Sequence, residues 1–243
     1  MNITKRLHLA YFYFHKKINH WRLFSLLPMQ LQLDILPANL GSNYLYDQTI
    51  WIKTSSIKYG GRPYVGKRKI IQCGDWDIEE KIKINEFIRK NENTSSIVEI
   101  ILDGKHYSNT KQYKTMLNAL NEGIKHSVLR GCSSVEEINN YFENMIATYY
   151  TIQKNGFKAQ SELIDGNEED EMAIYIDRYG EFNKFVGPGH HRLAFAILLN
   201  IEYIPCKIVS IHCNYFWNNY DSKLNLSDNI TSIINAYSEL DNY

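Results

Sequence analysis

The alternation of apolar and polar residues over the last third of the chain predicts a strand, a turn, a second strand, a glycine turn, a helix and a third strand. Residues 190–200 are apolar on nearly every side of a helix, which is typical of a buried helix. Short β-prone runs flanked by turn residues are typical of strands. The predicted strands of this segment are 174–176, 184–186 and 206–211. This succession places a buried helix directly between strands.

Capping signals predict the longest helix of the chain near its middle. Ser133-Ser134-Val135-Glu136-Glu137 forms a capping box, and an apolar stripe follows it until Asn155-Gly156. Residues 109–121 also carry apolar side chains at helical spacing. The remaining predicted elements are a β-prone run at 49–57, a helix at 78–90, a strand at 97–102 and a helix at 228–240.

The first 33 residues contain no acidic residue and predict a basic amphipathic helix. Its apolar face consists of residues spaced three and four apart, namely Leu7, Tyr11, Phe14, Ile18 and Trp21. A basic helix with aromatic residues on one face could lie on an anionic membrane surface. We favour a helix packed on the domain with solvated charges, since Tyr and Phe are ordinary core residues.

Composition gives no global charge that would argue for nucleic-acid binding, because the 243 residues include 27 basic and 27 acidic side chains. The four cysteines have no CxxC spacing, so we predict reduced thiols of a cytosolic protein. No stretch approaches the apolar length of a membrane span, and the start has no signal-peptide pattern. The expected location is cytoplasmic, with the N-terminal helix as a candidate peripheral membrane contact.

Chemistry is expected at the glycine turn before the apolar helix. A helix N-terminus leaves backbone N–H groups unpaired and carries a partial positive charge. Gly187 and Gly189 let a ligand approach the backbone, and Arg192 can grip an anion with a planar fork. His190 and His191 add hydrogen-bond donors or a proton relay near neutral pH. We predict a phosphate site here; the alternative is that the glycines only form a turn and the histidines only cap the helix.

The run Gly189-His190-His191-Arg192, with Leu193-Ala194 and then Ile204-Pro205, resembles the ParB/sulfiredoxin superfamily. The equivalent turn is GERR in partition proteins, FGGCHR in sulfiredoxins and DGHHR in free-serine kinases. The resemblance covers about residues 45–215. It is nearest to uncharacterised ParB-like nuclease domain proteins, which carry a GDWD element and a GxHRLxxAxxLxxxxIP run. It implies an α+β fold, with a small mixed sheet, packed helices and a helical insertion at about 75–155. Outside the resemblance, the apolar pattern within 216–243 predicts a C-terminal docking helix.

The same resemblance implies nucleotide or phosphate binding but no single reaction, since relatives are CTP switches, ATP-dependent reductases, small-molecule kinases and supposed nucleases. Reductase chemistry is disfavoured because His190 stands where the sulfiredoxin motif has cysteine. The expected ligand is ATP, ADP or CTP, with Mg²⁺ as a candidate metal. The expected function is nucleotide binding with transfer or hydrolysis of a phosphoryl group. The alternative is a non-catalytic nucleotide-dependent switch or a DNA-associated, nuclease-like protein.

Asp75, Trp76 and Asp77 form the GDWD element, which is open to two interpretations. Asp75 or Asp77 could cap a following helix, with Glu80 completing a capping box. Alternatively, the two carboxylates could hold Mg²⁺ or act as a general base, while Trp76 stacks on a base or sugar. The match to the uncharacterised relatives favours a role in the site.

The run from Tyr150 to Leu163 resembles a superfamily segment in which a helix ends at a glycine and the next residues face the nucleotide. Here Gly156, Lys158, Gln160 and Ser161 occupy that turn, although the usual proline is missing. A lysine and two hydrogen-bonding side chains would suit a phosphate or ribose, or Lys158 is simply exposed. The five carboxylates between Asp165 and Glu171 predict a solvated loop.

Overall fold

The structure is a computed structural model that describes residues 49–61, 70–78, 81–124, 127–185, 187–224 and 226–238. The basic helix predicted over 1–33, and with it the candidate membrane contact, lies outside these ranges.

Seven strands of the described residues form one mixed sheet. They are β1 (Ile50–Lys53), β2 (Ile57–Gly60), β3 (Ile71–Gln72), β4 (Ile82–Lys83), β5 (Ala173–Ile176), β6 (Phe182–Lys184) and β7 (Tyr203–His212). Their order is β1-β7-β5-β6-β2-β4, and β3 also pairs with β7. β3, β5 and β7 run parallel, whereas β6 runs antiparallel to β5. The chain that leaves β6 therefore returns to the end of the sheet where β5 begins.

Seven helices of the described residues cover the sheet. Four of them follow β4 and precede β5 in the sequence, and these four form one layer. They are α1 (Ile84–Lys90), α2 (Ser95–Ile101), α3 (Lys111–Asn121), α4 (Val135–Asn155), α5 (His190–Leu198), α6 (Cys213–Asn218) and α7 (Leu226–Asn235). No helix in the described ranges is both long enough and apolar enough to cross a membrane. The mixed α+β class expected from the sequence is confirmed.

Helix α5 is buried on two sides, as its all-round apolar pattern predicts. Leu193 and Ala196 pack into the core shared with the sheet. Ala194 and Phe195 pack into a second core formed by the α1–α4 layer. The helix therefore joins the two cores, and the residues of its first turn are held rigidly between them.

Helix α4 begins where the capping box predicts. The Ser134 hydroxyl accepts a hydrogen bond from the Glu137 N–H at 3.1 Å, and the Glu137 carboxylate accepts one from the Ser133 N–H. Ile138 and Phe142 are fully buried along the predicted stripe, although Val135 is exposed. The helix ends at Gly156, whose φ of +82° suits glycine.

Two local predictions are wrong. The β-branched run at 97–102 is helical and lies mostly in α2, because Ile97 and Val98 are buried among the helices of the second core. Packing against these helices outweighs the strand preference of such side chains. The helix predicted to start at 78 starts at Ile84 instead, since Ile82 and Lys83 pair with β2 as a strand. Asp75 and Asp77 are therefore not caps of that helix.

The prediction of four reduced thiols is also wrong for two cysteines. Cys73 and Cys213 form a disulfide with a sulfur–sulfur distance of 2.04 Å and Cα atoms 5.0 Å apart. β3 and β7 pair Gln72 with His212 in parallel, so the residues that follow lie side by side. A sequence separation of 140 residues concealed this neighbourhood. The two cysteines therefore no longer support a reducing, cytoplasmic environment.

Candidate anion-binding site at the start of helix α5

The glycine turn is clamped to the start of β5. Gly189 has a φ of +88°, and a Cβ atom there would lie 2.5 Å from the Cα of Met172. The Pro188 carbonyl accepts a hydrogen bond from the Ala173 N–H at 3.2 Å. Both the backbone conformation and the close approach require glycine at 189. The start of α5 is thus fixed against the sheet.

Lys184 and His190 meet at this turn. Lys184 is fully buried, and its ammonium donates to the carbonyl oxygens of Phe185 and Gly187 at 3.3 and 3.2 Å. The His190 ring bonds to the same two carbonyl groups. Burial, with the added charge of Lys184, lowers the pKa of His190 to about 3. The ring is therefore neutral at pH 7 and does not supply an imidazolium proton there.

His191 points towards the helical layer. Its Nε2 lies 3.4 Å from the Tyr141 hydroxyl, and its ring also bonds to the backbone of Asn93. Burial, and next the charge of Arg130, hold the pKa of His191 below its usual value. Arg130 in turn donates to the Asn93 side-chain oxygen. His191 is thus a neutral, hydrogen-bonded group beside a cation.

Arg192 joins α5 to the turn after α4. Its Nη2 donates to the Lys158 carbonyl at 2.6 Å and lies 3.1 Å from the Glu171 carboxylate. The guanidinium also lies over the Phe157 ring, 4.7 Å from its centroid. The Nε atom is buried and has no hydrogen-bond partner in the described residues. Arg192 is therefore already partly neutralised, but it still has an unused donor.

Glu171 is the carboxylate that the sequence analysis placed wrongly in a solvated loop. Its side chain is 1% exposed. It accepts hydrogen bonds from the N–H groups of Gln160 and Met172 at 2.8 and 3.1 Å, besides its contact with Arg192. Its position explains why it is buried, because Glu171 is the carboxylate of the acidic run that lies beside the first residues of β5. The other four carboxylates, Asp165, Glu168, Glu169 and Asp170, are exposed.

Several predicted site residues are brought together by this pair. Lys158 contacts Arg192 through its carbonyl, and Gln160 contacts Glu171 through its N–H. Gly156 ends α4 two residues before Lys158. The side chains of Lys158 and Ser161 are exposed. The turn after α4 therefore borders the start of α5 through its backbone.

The GDWD element forms a separate cluster. Arg178 donates to Asp77 from Nε and Nη2 at 3.0 and 2.7 Å, and to Asp75 from Nη2 at 2.8 Å. Burial alone would raise the pKa of Asp77, but the hydrogen bonds from Arg178 outweigh it and hold the pKa below its usual value. His212, at the end of β7, lies 3.7 Å from Asp77, and its Nε2–H donates a hydrogen bond to the Gly74 carbonyl at 2.9 Å. Asp77 is thus fully engaged within the protein.

Trp76 packs inward instead of offering a surface for a base. It is 5% exposed, and its ring lies 6.0 Å from those of Tyr175 and Phe185. Within the ranges that the structure describes, no group of three or more His, Cys, Asp or Glu side chains could hold a metal ion. The predicted Mg²⁺ site at Asp75 and Asp77 therefore has no third ligand of these types there.

The two clusters lie at opposite ends of the β5–β6 hairpin. Arg178 follows β5 on the turn side, whereas Gly187 follows β6 on the open side. A four-residue strand spans roughly 13 Å. The sequence analysis treated both clusters as parts of one pocket, and the hairpin keeps them apart. A groove of about 810 Å³ lies elsewhere, at the C-terminal end of α5, where it is lined by Ile197 and Ile201 among others.

Sequence reasoning missed three residues near the start of α5: Lys184, Arg130 and Glu171. For Lys184 the sequence does contain a signal. Side chains two residues apart on a strand share a face, so Lys184 lies on the same face as Phe182, and both are buried. Arg130 has a φ of +52°, which no sequence pattern indicates.

The contacts described above surround the start of α5 with three cations, one carboxylate and two neutral histidines. Such a set can bind an anion, because the cations supply charge and the first helical turn supplies N–H donors. Comparison of the chain with protein-family models, with curated proteins and with solved structures finds no match.

Proposed function

We propose that this protein binds a nucleotide or another phosphorylated ligand at the start of α5. The observation that supports this proposal is that Lys184 and Arg192, from two different segments, meet at one helix N-terminus, while Arg130 is hydrogen-bonded to Asn93 beside His191. Gly189 is the N-cap residue of α5 and no side chain caps the helix there, so the N–H groups of the first turn are the donors offered to a ligand. The rings of His190 and His191 line the turn without bringing further charge, because both are neutral and bonded to backbone groups of the protein.

The electrostatics of the two histidines support the same proposal. Burial is the largest cause of both lowered pKa values, but Lys184 lowers that of His190 and Arg130 lowers that of His191. A cation that disfavours protonation of a histidine also favours an anion in the same place. The unused Nε donor of Arg192 would be satisfied by a ligand oxygen or a water.

Binding is better supported than phosphoryl transfer. The carboxylates that the sequence analysis assigned as base or metal ligands are held by Arg178 at the other end of the hairpin. His190 is neutral at pH 7. Transfer or hydrolysis of a phosphoryl group by Asp75, Asp77 or the histidines therefore stays a prediction, as does a role for Mg²⁺.

A nucleotide-dependent switch is the second candidate, and the Arg192–Glu171 pair favours it. A phosphate that takes Arg192 competes with the carboxylate 3.1 Å away. Loss of that pair would loosen the turn after α4, which Gln160 and Lys158 tie to the same two groups. Ligand binding would then change the position of residues 156–171.

We further propose that the fold is of ParB/sulfiredoxin type. The order of strand, hairpin strand, glycine turn, buried helix and parallel strand from β5 to β7 supports this proposal. The GHHR turn lies at the start of the helix, where the superfamily motif would place it.

The test is a thermal-shift and calorimetric panel of ATP, ADP and CTP, each with and without Mg²⁺, on the full chain. A ligand at a hundredfold excess over its Kd should stabilise the protein by about 2.7 kcal/mol. Lys158→Gln and Arg192→Gln should weaken binding, and Lys154→Gln should not. Lys154 is the matched control, since it is an exposed lysine four residues earlier, in the last turn of α4.

Arg192→Gln also breaks a buried ion pair, so its folding must be checked by circular dichroism. Lys158→Gln keeps the test decisive, because an exposed side chain is replaced without disturbing the core. Equal affinities for wild type, Lys158→Gln and a folded Arg192→Gln would contradict the proposal. Absence of binding by every nucleotide would do the same.

A further inference from the structure

A second groove, of about 470 Å³, opens on the helical layer between α1, α2 and α3. Four cations line it, Arg89, Lys90, Lys111 and Arg130, and two carboxylates, Glu92 and Glu99. Arg130 lines this groove as well as bordering the start of α5, whereas Lys184, Arg192 and the glycine turn do not line it. We propose that this groove is a separate binding site for a phosphorylated small molecule, which goes beyond the function proposed above.

The charge balance of the groove favours an anion. Lys90 pairs with Glu86 at 2.6 Å, and Glu99 pairs with Lys105 at 3.1 Å. Glu86 and Lys105 do not line the groove, and their opposite charges cancel each other. The groove lining therefore keeps its excess of cations over carboxylates. An oxyanion that enters the groove therefore meets a positive field.

The geometry suits a small ligand with two kinds of contact. Arg89 comes from α1, Lys111 from the first residue of α3 and Arg130 from the loop before α4, so the cations surround the groove. Two of them are guanidinium groups, whose planar forks match phosphate oxygens. Val128, which is 38% exposed, gives the groove an apolar part that a ring or short chain can cover. The volume lies within the usual range for small-molecule sites.

A hydrogen-bonded path joins the groove to the start of α5. Gln112, which lines the groove, donates to the Tyr141 hydroxyl at 3.5 Å, and that hydroxyl lies 3.4 Å from His191. Arg130 reaches the same histidine through Asn93. A ligand in the groove is therefore in contact with groups that border the first site.

The experiment titrates inorganic pyrophosphate into the full chain by calorimetry at constant ionic strength. Lys111→Gln and Arg89→Gln should each weaken binding by about tenfold, the usual effect of losing one charge-assisted contact. Lys114→Gln should leave the affinity unchanged, since Lys114 is exposed on the same helix but does not line the groove. All three side chains are exposed, so the variants should fold as the wild type does.

Lys158→Gln separates this inference from the proposed function. Pyrophosphate binding that falls in Lys158→Gln but not in Lys111→Gln or Arg89→Gln overturns the groove and supports the first site. Equal losses in Lys111→Gln and Lys114→Gln indicate only general charge attraction and overturn it as well. Absence of pyrophosphate binding by the wild type also refutes the groove site. Selective losses in Lys111→Gln and Arg89→Gln establish it.

Discussion

Replacing Glu171 by glutamine tests the central ion pair and the proposed anion site together. The substitution keeps the size of the side chain but removes its charge. It leaves Arg192, whose side chain is 16% exposed, without its carboxylate. Glu171 now accepts hydrogen bonds from the backbone N–H groups of Gln160 and Met172. In the variant, the amide NH₂ group faces one of these N–H groups, and two donors cannot bond to each other. The expected result is a less stable protein that binds phosphate more tightly.

The loss of stability can be estimated from the contacts. Removing one partner of a buried ion pair costs about 3–5 kcal/mol. Arg192 is partly exposed and keeps its hydrogen bond to the Lys158 carbonyl, which lowers the estimate. We expect a loss of about 3 kcal/mol, which corresponds to a fall in Tm of roughly 6–12 °C for a protein of this size.

The gain in affinity follows from Coulomb's law. A phosphate bound at Arg192 would lie about 6 Å from the Glu171 carboxylate, where repulsion amounts to roughly 2–3 kcal/mol at an effective dielectric constant of 20. Removing that repulsion should tighten phosphate binding by about tenfold or more. Urea unfolding measures the stability, and calorimetric titration with phosphate measures the affinity.

The matched control is Glu169→Gln, which removes an exposed carboxylate from the same acidic run. It should change stability by less than about 0.5 kcal/mol. If Glu171→Gln proves as stable as Glu169→Gln, the ion pair does not have the role assigned here. A destabilised Glu171→Gln with unchanged or weaker phosphate binding would place the anion site away from Arg192.

Three further predictions follow from the fold. Gly189→Ala should cost about 2–4 kcal/mol in urea unfolding, from the left-handed backbone and a backbone clash; Gly123→Ala, at a φ of +68° with no atom within 4 Å of its added Cβ, should cost only about 1–2 kcal/mol. Replacing Cys73 and Cys213 by serine should lower stability by about 2–5 kcal/mol under oxidising conditions and have little effect once dithiothreitol is added to both proteins; equal stability without dithiothreitol would contradict a disulfide. Because the folded pKa of His190 lies near 3 and the unfolded value near 6.5, the unfolded state binds more protons between these values, so stability should fall as pH falls from 6.5 towards 3. His190→Asn should flatten this slope, and an unchanged slope would show that the ring is not buried and neutral.

Local patterns in the sequence determined the helices around the site. Two of these patterns are the capping box at Ser134 and Glu137 and the all-round apolar pattern of α5. Each can be recognised within about twenty consecutive residues, without knowledge of the segment that packs against it. The glycine at 189 was also predictable as a turn before a helix, and the structure adds the contact with Met172 that requires it.

Tertiary structure alone decided which charges are paired. Glu171 stands among four other carboxylates, and only its position beside β5 buries it against Arg192. Asp77 finds Arg178 across 101 residues of sequence, and Cys73 finds Cys213 across 140. Such pairs depend on strand order and register, which long-range packing determines and which no periodicity within either segment encodes. The sequence therefore predicted a glycine turn suited to an anion. The sheet decided that the arginine of this turn is shared with a carboxylate and that Asp75 and Asp77 are held by Arg178 at the other end of the hairpin.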